Sequence, residues 1–158
     1  MDNGRVALTY VRYEAEGWGV GELVFADRRL VYSQLPRPDA RPPDGSHPLV
    51  PRLQAYFAGE PVDFRDVEVE LADQTPFGRR LAEAMRRIPY GELVTYGELA
   101  LAAGRPRAAR AAGNFCARCD LAPILPVHRV VSAHGIGGWG PRGTDDKRRL
   151  LELEGAAL

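Results

Sequence analysis

Residues 75–100 read TPFGRRLAEAMRRIPYGELVTYGELA, and this stretch decides the class of the fold. Thr75 precedes Pro76, which predicts a helix that begins there with Thr75 as N-cap and proline at the first helical position. Apolar side chains at helical spacing form its buried face: Phe77, Leu81, Ala84, Met85 and Ile88. Thr95 and Glu98 have the spacing of a capping box, which predicts a second helix. The stretch is therefore predicted to be mainly helical.

Two more helices are predicted downstream. Gly104 ends the helix capped by Thr95, and residues 105–119, RPRAARAAGNFCARC, begin the next helix after a short turn. This order of helix, turn and helix is typical of DNA-binding proteins. A last helix is predicted from Thr144, with acidic residues in its first turn, where they suit the helix dipole.

The first half of the chain has the pattern of a small α/β domain. The predicted elements are three short strands in residues 5–35, a Pro- and Gly-rich loop in 36–48, a helix in 48–60 and an extended segment in 62–71. The chain is therefore predicted to contain an α/β domain, residues 1–72, followed by a mainly α-helical domain, residues 73–158.

Composition limits the class of protein. The 158-residue chain is 45% hydrophobic and 27% charged, which is ordinary for a globular protein. No apolar run is long enough to span a membrane, and the N-terminus lacks the layout of a signal peptide. We expect a soluble cytoplasmic monomer. Cys116, Cys119 and three scattered histidines do not make a four-ligand set, so neither a metal nor another cofactor is expected.

The formal net charge of zero hides an uneven distribution. Residues 1–74 contain 8 Lys or Arg against 13 Asp or Glu, whereas residues 75–149 contain 13 against 6. Twelve of those thirteen basic residues are Arg, whose guanidinium group suits phosphate. Charge alone leaves two interpretations open, which are a surface that faces a polyanion and ordinary solvated helix faces.

The predicted helix after Gly104 surrounds two arginines, Arg107 and Arg110, with small residues. The small residues are Ala108, Ala109, Ala111, Ala112 and Gly113. Small side chains let a helix backbone approach another surface closely, and arginines beside them could meet phosphates or enter a groove. The alternative is a surface helix rich in alanine for its helix propensity. The helix-turn-helix order and the excess of arginine favour DNA binding.

Several segments then stand in a recognisable order. They are residues 75–100, RAARAAGN (107–114), PVHRVV (126–131), GIGGWG (135–140) and KRRLLELEG (147–155), with LQAYFAGE (53–60) before them. With these segments the chain resembles the O6-alkylguanine-DNA alkyltransferase family. The resemblance implies a ribonuclease-H-like α/β domain followed by a winged-helix-like domain with a helix-turn-helix. Family members bind duplex DNA through the minor groove, flip the alkylated guanine and move its alkyl group onto the cysteine of a Pro-Cys-His-Arg loop.

The resemblance implies a role for each matching residue. Arg110 would fill the gap left by the flipped base, Tyr96 would contact that base, and Arg129 would brace the turn. His128 and Glu154 match the pair that relays the thiol proton through a water. The implied DNA contacts are Tyr96, Arg107, Ala108, Ala109, Arg110, Ala111 and Gly113. The implied base pocket consists of Tyr96, Pro126, Val127, Arg129 and Trp139.

Three positions depart from the family pattern. Val127 stands where the nucleophilic cysteine belongs, and a side chain with only C–H bonds cannot replace a thiolate. Cys119 stands where the family usually has an asparagine. Trp139 lies in the loop where family members commonly have a tyrosine that helps to close the alkyl pocket, so it either makes a wider apolar wall or anchors the loop on the core.

These departures leave several hypotheses. The favoured one is a sensor that binds O6-alkylguanine in duplex DNA without alkyl transfer and hands it to nucleotide excision repair proteins, as alkyltransferase-like proteins do. In a second, the nucleophile has moved to Cys119 or Cys116. The alternative to a relocated nucleophile is that His128 is a structural histidine and that both cysteines pack as small apolar residues. In a third, Val127 is an engineered substitution in a normal transferase. In a fourth, the protein has a structural or protein-interaction role. It would then bind DNA only weakly, and the affinity would not depend on Arg110.

Overall fold

The computed structural model describes residues 6–139 and 144–158. The chain divides into two compact units, Met1–Glu70 and Leu71–Leu158. Within the described ranges, every helix is too short or too polar to cross a lipid bilayer.

The first unit is built on an antiparallel sheet. Its strands are β1 (Leu8–Ala15), β2 (Gly19–Ala26) and β3 (Arg29–Arg37). The strands lie in the order β1-β2-β3, so the tight turns between them connect neighbours directly. The register pairs Leu8 with Ala26 at one end and Ala15 with Gly19 at the other. The three predicted strands are therefore confirmed.

One helix of the first unit, α1 (Leu49–Phe57), packs against β1. It buries apolar side chains at helical spacing: Leu49, Leu53, Tyr56 and Phe57. The ring of Phe57 lies 6.4 Å from that of Tyr13 and 5.0 Å from that of Trp18, so an aromatic cluster holds α1 on the sheet.

The predicted extended segment at residues 62–71 is only partly present. Asp63 forms a turn by accepting the backbone N–H of Arg65 at 2.8 Å through Oδ1. Only near Val69 does the segment run beside β3, where Leu30 donates to the carbonyl of Glu68 at 2.9 Å. A side chain that bonds to nearby backbone competes with a strand, so the turn at residues 65–67 interrupts the extended segment.

The second unit is mainly helical, as predicted. Its elements are α2 (Pro76–Arg86), β4 (Val94–Thr95), α3 (Tyr96–Ala102), α4 (Ala109–Arg118), a 3-10 turn (Val127–Arg129), β5 (Val130–Val131) and α5 (Asp145–Leu153). Thr75 caps α2 by accepting the backbone N–H of Gly78 at 3.0 Å. Thr95 and Glu98 form the predicted capping box at the start of α3. Local sequence signals therefore set both helix starts.

A short parallel pairing fixes the 3-10 turn beside α3. Val94 pairs with Val130, and Thr95 pairs with Val131. β4 leads directly into α3, and the 3-10 turn leads directly into β5. Their pairing therefore places the start of α3 beside the end of the 3-10 turn. It is the scaffold on which the candidate site is assembled.

Candidate functional site

The helix pair α3 and α4 presents an arginine-bearing surface. Gly104, with φ of +90°, ends the first helix in the left-handed conformation that glycine tolerates, and α4 begins after a short turn. Arg107 and Arg110 are exposed, whereas Ala112 on the opposite side of α4 is fully buried. The surface residues around the arginines are small, and they include Ala109 and Ala111, with Ala108 at the N-cap and Gly113 half-buried. Only Arg110 lies in α4, and Arg107 lies in the turn before it, so the start of the helix is accessible beside both arginines.

Tyr96 lies where α4 meets the glycine-rich loop before Trp139. A methyl group added to Gly113 would lie 3.9 Å from the Tyr96 ring, and one added to Gly137 would lie 2.9 Å from its hydroxyl oxygen. The hydroxyl also donates to the carbonyl oxygen of Gly138, over 3.4 Å. A side chain would thus fit at Gly113 in ordinary contact with Tyr96, whereas at Gly137 it would collide with the hydroxyl, so Gly137 makes room for this half-exposed tyrosine.

Val127 begins the 3-10 turn, with Pro126 as its N-cap, and its side chain is 2% exposed. The backbone N–H of Val127 donates to Leu125 at 2.8 Å, and that of Arg129 donates to Pro126 at 3.0 Å. The following strand residues are fixed by their pairing with β4. The turn is thus fully formed around a valine, which offers no thiol, hydroxyl or amine.

A buried cluster of three polar side chains supports the turn from beneath. His128 Nε2 lies 2.6 Å from Glu154 Oε2, and Arg129 donates to both oxygens of Glu154 at 2.8 and 3.1 Å. Arg129 also donates to the carbonyl oxygen of Ile88 at 2.6 Å, and the backbone N–H of Gly91 donates to Glu154 Oε1 at 3.0 Å. The cluster connects the segment that follows α2, the 3-10 turn and the end of α5.

The charges in this cluster follow from burial and from its hydrogen bonds. Burial would raise the pKa of Glu154, but the hydrogen bond from His128 and the hydrogen bonds and positive charge of Arg129 outweigh it and hold that pKa far below its usual value. Burial lowers the pKa of His128, against the opposing effect of Glu154. We therefore assign a neutral His128 that donates from Nε2 to a carboxylate whose charge is balanced by Arg129.

Both cysteines are buried at the end of α4. The backbone N–H of Cys119 donates to the carbonyl oxygen of Cys116 at 3.3 Å. Burial first, and then the neighbouring Cys119, raise the pKa of the Cys116 thiol to about 12. A thiol with such a pKa is protonated at neutral pH and is a weak nucleophile. Cys116 therefore has the character of a packing residue.

Trp139 and Lys147 are the other notable side chains of this region. Trp139 is 2% exposed, so its ring is packed inside the second unit. Lys147 was not predicted: it is 2% exposed and donates from Nζ to the hydroxyl of Tyr96 at 3.2 Å and to the carbonyl of Gly138 at 3.3 Å. A signal existed, because Lys147, Leu150, Leu151 and Glu154 have the spacing of one buried helix face.

The structure thus brings the predicted residues together in separate groups. Tyr96 meets Gly137, Gly138 and Lys147 at one point. His128, Arg129 and Glu154 form the buried cluster. All three nitrogens of the Arg129 guanidinium donate there, to Glu154 and to the carbonyl oxygen of Ile88, which suits a bracing role. Arg107 and Arg110 stay on the surface.

Comparison with known proteins places this site in a family. The family model described as 6-O-methylguanine DNA methyltransferase, DNA binding domain, matches residues 76–156. The methylated-DNA–protein-cysteine methyltransferase of Mycobacterium bovis is 48% identical over 106 residues, which cover 66% of this chain and 62% of the relative. The matched region is thus less than two thirds of that relative's length.

Solved structures extend the similarity over most of the chain. The O6-methylguanine methyltransferase of Mycobacterium tuberculosis is 35% identical, with a TM-score of 0.79 and coverage of 96% of each chain. A structure described as Mycobacterium tuberculosis OGT in complex with DNA is 36% identical, with a TM-score of 0.76 and coverage of 92% of each chain. On the match of the family model to about half of its length, the chain belongs to the 6-O-methylguanine DNA methyltransferase family.

Proposed function

We propose that the protein binds O6-alkylguanine in duplex DNA as a damage sensor and does not take up the alkyl group. The observation that carries this proposal is Val127, which occupies a complete 3-10 turn above an intact cluster of His128, Arg129 and Glu154. Alkyl transfer requires a nucleophile in the turn, and valine has none. Binding of the DNA and of the flipped base needs no thiol, so a protein without the nucleophile can still recognise the lesion.

The surface of α4 supports binding to DNA. Arg107 and Arg110 are exposed beside small side chains, which leave the helix backbone accessible to a groove. A relative of the same fold is described in complex with DNA. We propose minor-groove docking of the helix-turn-helix, with Tyr96, Ala108, Ala109, Ala111 and Gly113 close to the duplex and the flipped base held by Tyr96, Pro126, Val127 and Trp139.

The finer architecture belongs to this proposal as well. We propose a ribonuclease-H-like fold for residues 1–72 and a winged-helix-like fold for residues 73–158. We also propose a monomer that passes the bound lesion to nucleotide excision repair proteins, because a sensor without transfer chemistry needs a partner that removes the damage.

Two alternatives to a natural sensor follow from the sequence: a relocated nucleophile, which differs in its chemistry, and an engineered substitution, which differs only in its origin. A relocated nucleophile at Cys116 is disfavoured by the high pKa of that thiol, and Cys119 is buried at the end of the same helix. An engineered Cys-to-Val substitution would give the same binding behaviour with the same loss of transfer. A measurement of added methyl mass separates the relocated nucleophile from the natural sensor and from the engineered variant.

The protein is incubated with a duplex that contains one O6-methylguanine, and its intact mass is then measured beside a gel-shift titration against the undamaged duplex. The sensor predicts preferential binding of the damaged duplex with no added mass. A methyl mass mapped to Cys116 or Cys119 would overturn it and assign a repair enzyme. Equal weak binding of both duplexes would overturn it in favour of a structural role.

Arg110→Ala is expected to remove the preference for damaged DNA. An exposed arginine at the start of the recognition helix can fill the space that a flipped base vacates, whereas alanine leaves that space empty. The ratio of the dissociation constants for the undamaged and damaged duplexes should fall about tenfold or more, since flipping costs a few kcal/mol. A variant that keeps the wild-type ratio would contradict the base-flipping model.

Arg107→Gln is expected to weaken binding to both duplexes alike. Its exposed guanidinium is suited to a phosphate contact, which adds affinity without reading the base. The slope of log K against log salt concentration should decrease by about one unit, as for the loss of one phosphate contact. Arg28→Gln, in the turn between β2 and β3, is the matched control and should leave the salt slope unchanged.

A further inference from the structure

The first part of β1 and the residues just before it present a row of apolar side chains to solvent. Val6, Leu8 and Tyr10 are 48%, 52% and 56% exposed, and their alternate spacing places them on one face of the strand. Ala7 and Thr9, which point to the other face, are exposed as well. A contiguous row of uncovered apolar side chains marks an interaction surface, whereas apolar residues exposed singly do not.

The backbone beside this row points away from β2. In an antiparallel pair, successive residues direct their N–H and C=O groups alternately towards the partner strand and away from it. Arg12 exchanges two backbone hydrogen bonds with Asp44 on the side away from β2, at 2.9 and 3.0 Å. Leu8 and Tyr10 lie at alternate positions before Arg12, so their backbone groups point to the same side. Among the described residues, no backbone group is bonded to them there.

This open edge lacks the features that usually prevent a strand from pairing with another chain. Charged residues, proline and bulges give that protection in natural sheets. Residues 6–10 read VALTY, with no charge and no proline, and the pairing with β2 is regular from Leu8 to Ala15. The edge therefore has the properties of a strand-addition site, where backbone hydrogen bonds give affinity and alternate side chains give specificity.

A polar groove begins where this open edge ends. Asp44 occupies the edge beside Arg12, so an added strand would have to leave the sheet next to Tyr10. The groove has a volume of about 640 Å³, and its lining includes Tyr10 and Arg12 of β1, with Arg37 and Arg41 at and after the end of β3. A groove of this size can take the side chains of a segment that leaves the edge.

Basic side chains outnumber acidic ones in this groove. Three of the eight arginines of residues 1–74 line it, against the carboxylates of Glu22 and Asp39. The side chain of Arg37 is 55% exposed, and its Nε lies 4.0 Å from Asp39 Oδ1, which is longer than a hydrogen bond. Arg41 is exposed as well. Both guanidinium groups can therefore bind a carboxylate that a partner supplies, through charge-assisted hydrogen bonds.

The chemistry of the edge selects a polypeptide as the occupant. Arginines alone would also suit the phosphates of a nucleic acid or a lipid headgroup. Leu8 and Tyr10, however, offer N–H donors and carbonyl acceptors in alternation, and an extended peptide supplies the matching acceptors and donors. A phosphate group has no donor for the two carbonyl groups.

We propose that the first unit docks an acidic, extended segment of a partner protein, which adds to the edge of β1 at Leu8 and Tyr10 and brings a carboxylate to Arg37 and Arg41. This docking surface is independent of the proposed sensor role, because every residue assigned to DNA or to the flipped base lies in the second unit.

The test titrates the whole chain into a fluorescein-labelled peptide of sequence EEVTVTVEE and measures the anisotropy. The central segment suits the edge, and the glutamates at both ends allow either strand direction. We expect saturable binding that is about tenfold or more tighter than binding of KKVTVTVKK, which has the same centre and the opposite charge. A form of the acidic peptide that is N-methylated along its centre lacks the backbone donors and should not bind.

Two variants locate the peptide on the protein. Leu8→Pro removes one N–H from the open side of the edge, where proline is tolerated, and should abolish binding while the fold is retained. Arg41→Glu replaces attraction with repulsion and should weaken binding about tenfold or more. Arg28→Glu is the matched control, because Arg28 is an exposed arginine of the same unit outside the groove, and it should bind as wild type does.

The contrary outcomes are distinct. Equal affinity for the acidic and the lysine peptide would overturn the role of the groove, and absence of saturable binding up to about 1 mM would overturn the docking surface as a whole. Self-association in sedimentation velocity that Leu8→Pro abolishes would assign the edge to a second copy of the chain and overturn the proposal. If Leu8→Pro does not fold, the N-methylated peptide decides, since its binding as tightly as the parent would overturn strand addition.

Discussion

Val127→Cys is expected to turn the protein into an alkyl acceptor that gains one methyl group per molecule from O6-methylguanine DNA. In this reaction the thiolate sulfur attacks the methyl carbon, the bond from that carbon to O6 breaks, and the guanine keeps the electron pair and takes a proton. The turn that holds residue 127 is already complete, and His128 beside it is bonded to Glu154 at 2.6 Å. The variant therefore restores a sulfur atom in a turn whose backbone and supporting cluster of His128, Arg129 and Glu154 are already formed.

The substitution itself should be tolerated. Val127 is 2% exposed, and cysteine is slightly smaller and also packs well in apolar surroundings, so the cost in the free energy of unfolding should be about 1 kcal/mol. Intact mass after incubation with the damaged duplex measures the transfer. Val127→Ser is the matched control, because its hydroxyl is of similar size and is not ionised, and it should gain no mass.

An inactive Val127→Cys variant would also be informative. If it binds the damaged duplex as tightly as wild type but gains no mass, the cluster of His128 and Glu154 does not activate a thiol in this protein. Its role would then be structural, and the departure at Cys119 would have removed a second requirement of the chemistry. If neither protein prefers damaged DNA, the failure lies in recognition.

The starts of the helices could be predicted from the sequence because their signals are local. Thr75 with Pro76, and Thr95 with Glu98, act within one helical turn, and all of these caps are present. The extended segment predicted at 62–71 is only partly present, again because of a local interaction. A hydrogen bond from the backbone N–H of Arg65 to Asp63 makes a turn that alternation of apolar residues does not reveal.

The contacts of charged residues could not be predicted from local patterns. Lys147 follows two acidic residues and precedes two arginines, which is typical of a solvated helix face. Its burial depends on the helix face shared with Leu150 and Leu151 and on the position of Tyr96, 51 residues earlier in sequence. The resemblance to the family predicts that His128 and Glu154 interact. The structure adds that Arg129 donates to the same carboxylate, which the sequence did not reveal.

Glu154→Ala is expected to destabilise the second unit by about 3–5 kcal/mol, the usual cost of removing one partner of a buried ion pair. The carboxylate accepts from Arg129, His128 and the backbone N–H of Gly91. Without it, the guanidinium of Arg129, which is 8% exposed, would stay buried without a counter-charge. The loss should appear in denaturant unfolding of the Trp18→Phe background, where fluorescence reports Trp139 in the second unit. Glu152→Ala, an exposed neighbour, should change stability by less than about 0.5 kcal/mol.

Glu154→Gln separates the charge from the shape of the side chain. The amide keeps the size and one acceptor oxygen but loses the negative charge that balances Arg129. Because the folded pKa of Glu154 lies far below its unfolded value of about 4.3, the charge stabilises the fold fully above about pH 5. That stabilisation is lost as the pH falls towards the folded pKa. The difference in free energy of unfolding between wild type and Glu154→Gln should therefore be largest near pH 7 and shrink below about pH 4. A difference that is constant with pH would show that packing, and not charge, makes Glu154 necessary.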